Sequence, residues 1–384
     1  YKQGDYSTAQ SLCKTLTYTL YYKPGVKDPF WQNSAMSLVN ALILAICDEC
    51  IANREEEKIT LYSVANMLAT LGSRETNDKN ELDEYFKNLP ASSVAKMQYA
   101  TSNFAKGTTR GGIFASAMAE LQIFTMDEIA KMTSKNTINF KDIGFINKDK
   151  EDNRPVAIFM IVPDYDVSNH TVASIFVRQL YYVLAKESTF SDTGKCDREV
   201  IFLLDEFGSM TPIEGIANIL TVCLGRNIRF NLVVQALAQI KQKYGDDSKT
   251  IVGNCSNKFY IFTNDDETAE EFSKLLGEKT IVTYSRTGEL LTKSKSLTEN
   301  VDGRRLLTPD ELMHLKEGEI VIVRGTKRRD LKGNKIRPYP IINNGENMMK
   351  YRYQYLDKYF TKRNADMKVK IEALHKHIIL HDLL

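Results

Sequence analysis

Proline is scarce in this 384-residue chain, with 9 residues, and glycine reaches only 20, so a collagenous or proline-rich disordered chain is excluded. Charge of one sign is missing too. With 51 basic against 49 acidic side chains the formal charge is +2, so any surface for a polyanion has to be local. The six cysteines, Cys13, Cys47, Cys50, Cys196, Cys223 and Cys255, are too scattered for a disulfide framework. Most stand in apolar or helix-like surroundings, where a reduced thiol acts as a small hydrophobe, and this points to a reducing compartment. Cys47 and Cys50 form one C-x-x-C, but a structural zinc site needs four ligands and no second pair lies at a suitable spacing, so no metal is expected there. No apolar run approaches the roughly 18 to 20 residues of a membrane span; the best, residues 37–47, contains Asn40. Internal repeats and low-complexity segments are also lacking. Most consequentially, there is no G-x-x-x-x-G-K-[ST]: Gly194-Lys195 runs into Cys196, and Gly277-Glu278-Lys279-Thr280 lacks the glycine cradle that wraps a phosphate with backbone N–H groups.

What is present divides by texture. From Trp31 the apolar residues Ala35, Leu38, Val39, Leu42, Ile43 and Ile46 recur at three- and four-residue steps behind Asp28-Pro29, which predicts a long amphipathic helix. Helical patterns continue over residues 60–71, 81–88, 92–104 and 113–121, with no convincing strand among them. Beyond residues 147–153 short apolar runs alternate with helical patterns. The runs cover residues 156–162, 200–204, 230–234 and 259–262, and the helical patterns residues 171–186, 212–224, 237–244 and 267–276, with a further strand at 320–324. Strands that are apolar on both faces and separated by helices predict a mostly parallel sheet covered on both sides. In such sheets ligands bind beyond the carboxyl ends of the strands.

One strand end carries chemistry. Residues 200–204 run straight into Asp205-Glu206. In P-loop nucleotide hydrolases such a pair divides two tasks, the aspartate holding Mg²⁺ through its water shell and the glutamate polarising the attacking water. An acidic pair that merely ends a strand and caps the next helix is the plainer alternative. Gly225-Arg226-Asn227-Ile228-Arg229 follows, and the next strand leads to Gln235. A glutamine at that edge can sense a γ-phosphate through the attacking water, and an arginine can reach into a neighbouring subunit. Each also has an ordinary reading, Gln235 as a helix N-terminal hydrogen-bonder and Arg226 as a solvated loop charge.

These blocks resemble a known family. Ile201-Phe202-Leu203-Leu204-Asp205-Glu206-Phe207-Gly208, Gly225-Arg226, Val233-Val234-Gln235-Ala236-Leu237-Ala238-Gln239-Ile240 and Tyr244-Gly245 are similar to segments of the type IV secretion coupling proteins, the TraG/TraD-like ATPases of conjugation. Asp28-Pro29-Phe30-Trp31, Thr109-Arg110-Gly111-Gly112-Ile113, Ile161-Val162-Pro163-Asp164 and Arg305-Leu306-Leu307-Thr308-Pro309-Asp310-Glu311-Leu312 follow the same order, so the resemblance covers roughly residues 10 to 340.

The resemblance implies an α/β fold: a RecA-like P-loop NTPase domain with helices on both faces of a mostly parallel sheet, interrupted by an inserted all-α domain. The implied boundaries are 1–30 for a remnant of the nucleotide-binding domain, 31–115 for the all-α domain, 116–345 for the RecA-like domain with Walker B, and 346–384 for a helical tail. It further implies ATP and Mg²⁺ as cofactors, a relaxase and single-stranded DNA as substrates, secretion-channel components as partners, and a homo-hexamer at the cytoplasmic face of the cell membrane. Asp205 becomes the Walker B aspartate, Glu206 the catalytic glutamate, Gln235 the glutamine of a third motif, and Arg226 the trans-acting finger ahead of Arg229. The family's P-loop and membrane helices lie upstream of the region matched. Together with a start at Tyr1 instead of Met, this leads us to expect a soluble carboxyl-terminal part that binds ATP poorly on its own. The alternatives are a non-hydrolysing substrate receptor derived from the same fold, and a hexameric DNA helicase or pump.

Two further features are DNA-contact candidates. Arg324, Lys327, Arg328, Arg329, Lys332, Lys335 and Arg337 form a basic stretch opposed only by Asp330, which can track a phosphate backbone or simply be a solvated loop. Arg110, among glycines, can face a channel or mark an interdomain turn. His375, His377 and His381 in the tail do not complete a metal site and are read as surface histidines.

Overall fold

A computed structural model describes residues 1–23, 26, 28–73, 75–76, 79–103, 105, 107–147, 153–162, 170–287, 296–325 and 378–383. Two compact units divide the chain, Tyr1–Val233 with Lys370–Leu384, and Val234–Val369.

The first unit opens with helices. α1 (Tyr6–Tyr21), α2 (Phe30–Asn53), α3 (Leu61–Ser73), α4 (Glu81–Asn88), α5 (Val94–Asn103) and α6 (Gly107–Leu121) are followed by the short α7 (Asp127–Thr133) and α8 (Phe140–Gly144). A two-residue antiparallel ladder of β1 (Glu75–Thr76) and β2 (Lys79–Asn80), not expected from the sequence, sits between α3 and α4. α2 is the axis of this bundle, packed by α1, α3, α5 and α6. Its Ala35, Leu38, Val39, Ala41, Leu42 and Ala45 are fully buried, and burial runs unbroken from Ala41 to Ile46, so the helix is covered all round and not along the single stripe that the spacing predicts. By length and composition this 24-residue helix could cross a membrane, which corrects the expectation that no such segment exists; here its apolar surface is spent on the bundle core. Burial pushes the Cys13 thiol up to about 12 and the Cys47 thiol up to about 11, so both stay protonated at neutral pH and pack as small hydrophobes.

Packing moves the expected domain boundaries. α1 contributes Cys13, Leu20 and Tyr21 to the same core as α2, and Tyr21 donates its hydroxyl to the Ala117 carbonyl at 2.5 Å. Residue 30 is therefore not a packing boundary. Residue 115 falls inside α6, a single continuous helix, and the core runs on to Phe124. Ile378 and Leu383 are buried as well, and Ser63 Oγ donates to the Leu383 carbonyl, which ties residues 378–383 to this unit.

The α/β part of the first unit is α9 (His170–Phe190), β3 (Val200–Leu204), α10 (Ile216–Val222) and β4 (Ile228–Leu232). β3 and β4 pair in parallel, with Val200 opposite Ile228 and Leu204 opposite Leu232. One face is packed by Val200, Phe202, Leu204 and Ile228, and Phe202 stacks on Phe230 at 4.4 Å. The other face is open, with Ile201 and Leu203 at 60% and 69% exposure, so this pair is not covered on both sides. The expected strand at 156–162 is absent: residues 153–162 make no ladder, and without a hydrogen-bonding neighbour a β-branched run is not a strand.

The second unit comprises α11 (Leu237–Tyr244), α12 (Asp247–Asn254), β5 (Asn257–Tyr260), α13 (Asp266–Leu276), β6 (Glu278–Thr287), β7 (Ser296–Arg305), α14 (Pro309–Met313) and β8 (Val321–Arg324). β5 and β8 pair antiparallel, so among the described residues only β3 and β4 pair in parallel where a mostly parallel sheet was expected. Tyr260, Ala269, Phe272 and Leu312 form its core. β6 and β7 make a ten-pair antiparallel ribbon, from Glu278 opposite Arg305 to Thr287 opposite Ser296. The ribbon is anchored at its base, where Arg305 grips Glu270 through two nitrogens at 2.5 and 2.9 Å and Ser273 donates to the Leu307 carbonyl. Of the helical tail expected over residues 346–384 only 378–383 are described, ending in a 3-10 turn at Leu380–Leu383, and the basic residues Lys327, Arg328 and Arg329 lie outside the described residues.

Candidate active site

β3 ends by delivering Asp205 and Glu206, both exposed, at the carboxyl edge of the parallel pair. The turn that follows is tightly specified. Glu206 has φ of 60°, in the left-handed region, which costs a non-glycine residue on the order of 1 kcal/mol. Its carbonyl accepts from the Ser209 N–H at 2.8 Å and the Met210 N–H at 3.2 Å, and its carboxylate Oε2 accepts from Ser209 Oγ at 3.3 Å. Phe207, fully buried, donates its N–H to the Val233 carbonyl at 2.9 Å, while Val233 donates to the Leu204 carbonyl at 3.0 Å. Two solvent-facing carboxylates thus stand on a backbone that is pinned directly behind them.

The next residues are held by α9. His170 Nδ1 lies 3.2 Å from the Ser209 carbonyl, and the Thr171 and Thr211 hydroxyls meet at 3.2 Å. Ser174 Oγ donates to the Thr211 carbonyl at 2.7 Å, and Arg178 Nε donates to Glu214 Oε2 at 2.6 Å. His170, Ser174 and Arg178 are four residues apart, so they share one helix face. No motif in the sequence announced this set; only that spacing, on a helix between two strand patterns, carried a signal.

The arginines occupy the opposite edge. Arg226 precedes β4, whose five residues span about 16 Å at the usual strand rise, and Asp205 follows β3, so the two lie at opposite ends of the parallel pair. The Arg226 guanidinium is engaged within the chain: Nη1 donates to the Ala185 carbonyl at 2.6 Å and to Thr189 Oγ1 at 2.8 Å, near the end of α9. Arg229 is exposed and ion-paired with Glu199. Gln235, three residues past β4, is grouped with the second unit; its side chain is exposed, and its N–H donates to Gln239 Oε1 at 3.1 Å.

Arg110 is occupied elsewhere. Its guanidinium pairs with Asp83, donates to the Tyr99 hydroxyl at 2.9 Å and lies over the Phe114 ring. Beside it, a Cβ on Gly112 would come within 2.6 Å of the Trp31 ring, so this glycine admits an indole. The glycines read as letting a backbone approach phosphate include one that is needed for helix packing.

A family model described as "Type IV secretory system Conjugative DNA transfer" matches residues 3–368. The chain belongs to that family. Among curated relatives, a conjugal transfer protein TraG of Escherichia coli is 26% identical over 315 residues, covering 77% of this chain and 48% of that protein. Protein VirD4 of Rhizobium radiobacter is 29% identical over 193 residues, 48% of this chain and 27% of that one. An uncharacterized Bacillus anthracis protein is 37% identical over 154 residues, 40% of this chain and 57% of that one. This family member therefore spans about half the length, or less, of such relatives. Among solved structures, the bacterial conjugative coupling protein TrwB in a sulphate complex matches with a TM-score of 0.61 at 13% identity, over 83% of this chain and 66% of that one. The same protein with ADP and Mg²⁺ gives 0.58. The fold is accordingly the RecA-like α/β class with its inserted helices.

The donor set suits Mg²⁺ bound together with a nucleotide. Among the described residues no three His, Cys, Asp or Glu side chains converge to cage a cation. Mg²⁺ that arrives with phosphate oxygens and its own waters needs only one or two carboxylates, and the exposed Asp205 at a strand's carboxyl end offers one.

Proposed function

We propose that this chain is part of a conjugative coupling ATPase, which recruits a relaxase bound to single-stranded DNA and drives the strand into a type IV secretion channel. The observation that carries the reading is the Asp205-Glu206 pair, exposed at the carboxyl edge of β3 on a turn pinned by Phe207 and by Ser209. Hydrolysis is proposed for the whole protein. These 384 residues contain no G-x-x-x-x-G-K-[ST], and the chain covers 48% of the TraG relative.

Bound Mg²⁺ would supply charge neutralisation at the transferring phosphate. Asp205 is the residue to hold it, through water. Glu206 takes up the proton side of the chemistry, orienting the attacking water with a carboxylate whose backbone is fixed. Gln235 is assigned the sensing of hydrolysis. Arg226, with Arg229 second, is assigned to a phosphate in a neighbouring subunit of a homo-hexamer, because an arginine at the far edge of the strands serves a nucleotide bound by another copy. To do so Arg226 must release Ala185 and Thr189. The basic stretch with Lys327, Arg328 and Arg329 is assigned to DNA, with Arg110 a second contact once it leaves Asp83. The place of action is the cytoplasmic face of the cell membrane.

The test is DNA-stimulated ATP hydrolysis by the full-length protein that contains this chain. Asp205→Ala and Glu206→Gln are each expected to lower kcat by at least about a hundredfold, in line with the loss of a general base or a metal-holding carboxylate. Wild-type turnover in Glu206→Gln would remove the assignment. Absent turnover with salt-sensitive DNA or relaxase binding intact would make the protein a substrate receptor.

A further inference from the structure

The turn that bears Glu206 does not stand alone, because the five residues after Ser209 are gripped by a single helix face. Ser174 is fully buried, His170 is buried and Arg178 is half-buried, and each places a polar group on residues 209–214. Buried polar groups are conserved in energy only when paired, so this face fixes where the loop can run. The loop in turn fixes Glu206 from the other side, since Ser209 gives both its N–H and its hydroxyl to that residue. We propose that His170, Ser174 and Arg178 are positioning residues for Glu206. α9 holds residues 209–214, and residues 209–210 hold the left-handed Glu206 backbone against relaxation. This rests on the hydrolytic reading of Glu206 and goes beyond it by naming what aims the carboxylate.

The other end of the same helix extends the inference. Ala185 and Thr189 bind Arg226, and α9 has 21 residues, about 30 Å of rise. One rigid element therefore contacts both the loop of the proposed water-activating residue and the proposed finger.

The experiment uses the full-length protein and two readouts. Arg178→Ala, Ser174→Ala and, from the loop side, Glu214→Gln are expected to lower kcat for ATP about ten- to a hundredfold, while KM for ATP changes less than about threefold, because a misaimed base loses rate and not nucleotide binding. Arg178→Lys keeps a cation and is expected to recover part of the loss. Arg178→Ala combined with Glu214→Gln should be no worse than the poorer single variant. Amide hydrogen exchange over residues 206–214 should quicken in each variant while α2 exchanges as before, a contrast that a general loss of folding would not give. Unchanged kcat together with unchanged exchange at 206–214 overturns the proposal, as does quickened exchange throughout the unit. If Glu206→Gln stops turnover while the α9 variants are silent, the positioning role fails alone. If wild-type protein shows no turnover, the hydrolytic reading fails, and unchanged exchange would then overturn the hold of α9 as well.

Discussion

The helical bundle and the β3–β4 pair belong to one compact unit, and α2 and β3 both carry continuous apolar runs, yet they use them differently. In α2 the apolar residues meet α1, α3, α5 and α6 all round, and Leu38 and Leu42 have no exposed surface. In β3 the alternation of buried and exposed positions leaves Ile201 and Leu203 in solvent although the whole run is apolar. A helix finds its cover from neighbours close in the chain, whereas a strand in a RecA-like sheet depends on elements joined by long crossovers. The bundle buries its axis helix among these residues, whereas the parallel pair presents Asp205 and Glu206 beside an uncovered face.

The largest effect that would break this contrast is expected in the bundle. Leu42→Ala removes a fully buried side chain from the axis helix, and a loss of about 2–5 kcal/mol is expected in chemical denaturation. A loss below 1 kcal/mol would mean that the bundle is no better packed than the sheet.

A second prediction sharpens the contrast in the other compact unit, where an exposed ribbon depends on an ionic anchor. The hydrogen bonds from Arg305, and then from Lys274, hold the Glu270 carboxyl down at about 2. Because the folded value lies below the ordinary carboxylate value, the contribution is present in full above pH of about 4.3 and is lost as pH falls toward 2. Glu270→Gln should therefore melt at a lower temperature than wild type at pH 7, and the two curves should converge as the pH approaches 2. Parallel curves at every pH would sever the ribbon's base from this pair.

Much of this was legible beforehand, for reasons that differ by element. The spacing of Leu38, Leu42 and Ile46 encodes a helix directly, and the apolar run Val200–Leu204 encodes a strand that ends at two acids. The β6–β7 ribbon was missed although Thr280-Ile281-Val282-Thr283-Tyr284 is rich in β-branched and aromatic residues, because no tight-turn pair such as Asn-Gly links its strands. Residues 156–162 read as a strand because their composition is that of one, but ladder partners are a tertiary matter. The partners of Arg110 and Arg226 were illegible for the same reason: a charge seen in sequence shows no carboxylate or carbonyl from 27 or 41 residues away.

The smallest effect is the most discriminating for the sheet. Leu203 is 69% exposed, so Leu203→Ser removes little buried surface from this chain, and a stability change within about 0.5 kcal/mol is expected in the 384-residue protein. The apolar run that contains it is nonetheless the composition of a strand buried on both faces. If the full-length protein loses 1 kcal/mol or more on the same substitution, Leu203 is covered there by elements beyond these residues, and the sheet acquires the second layer that the sequence pattern calls for. If both proteins are indifferent, the open face is a surface of the whole protein as well, and the carboxylates at its edge stand beside an exposed apolar patch.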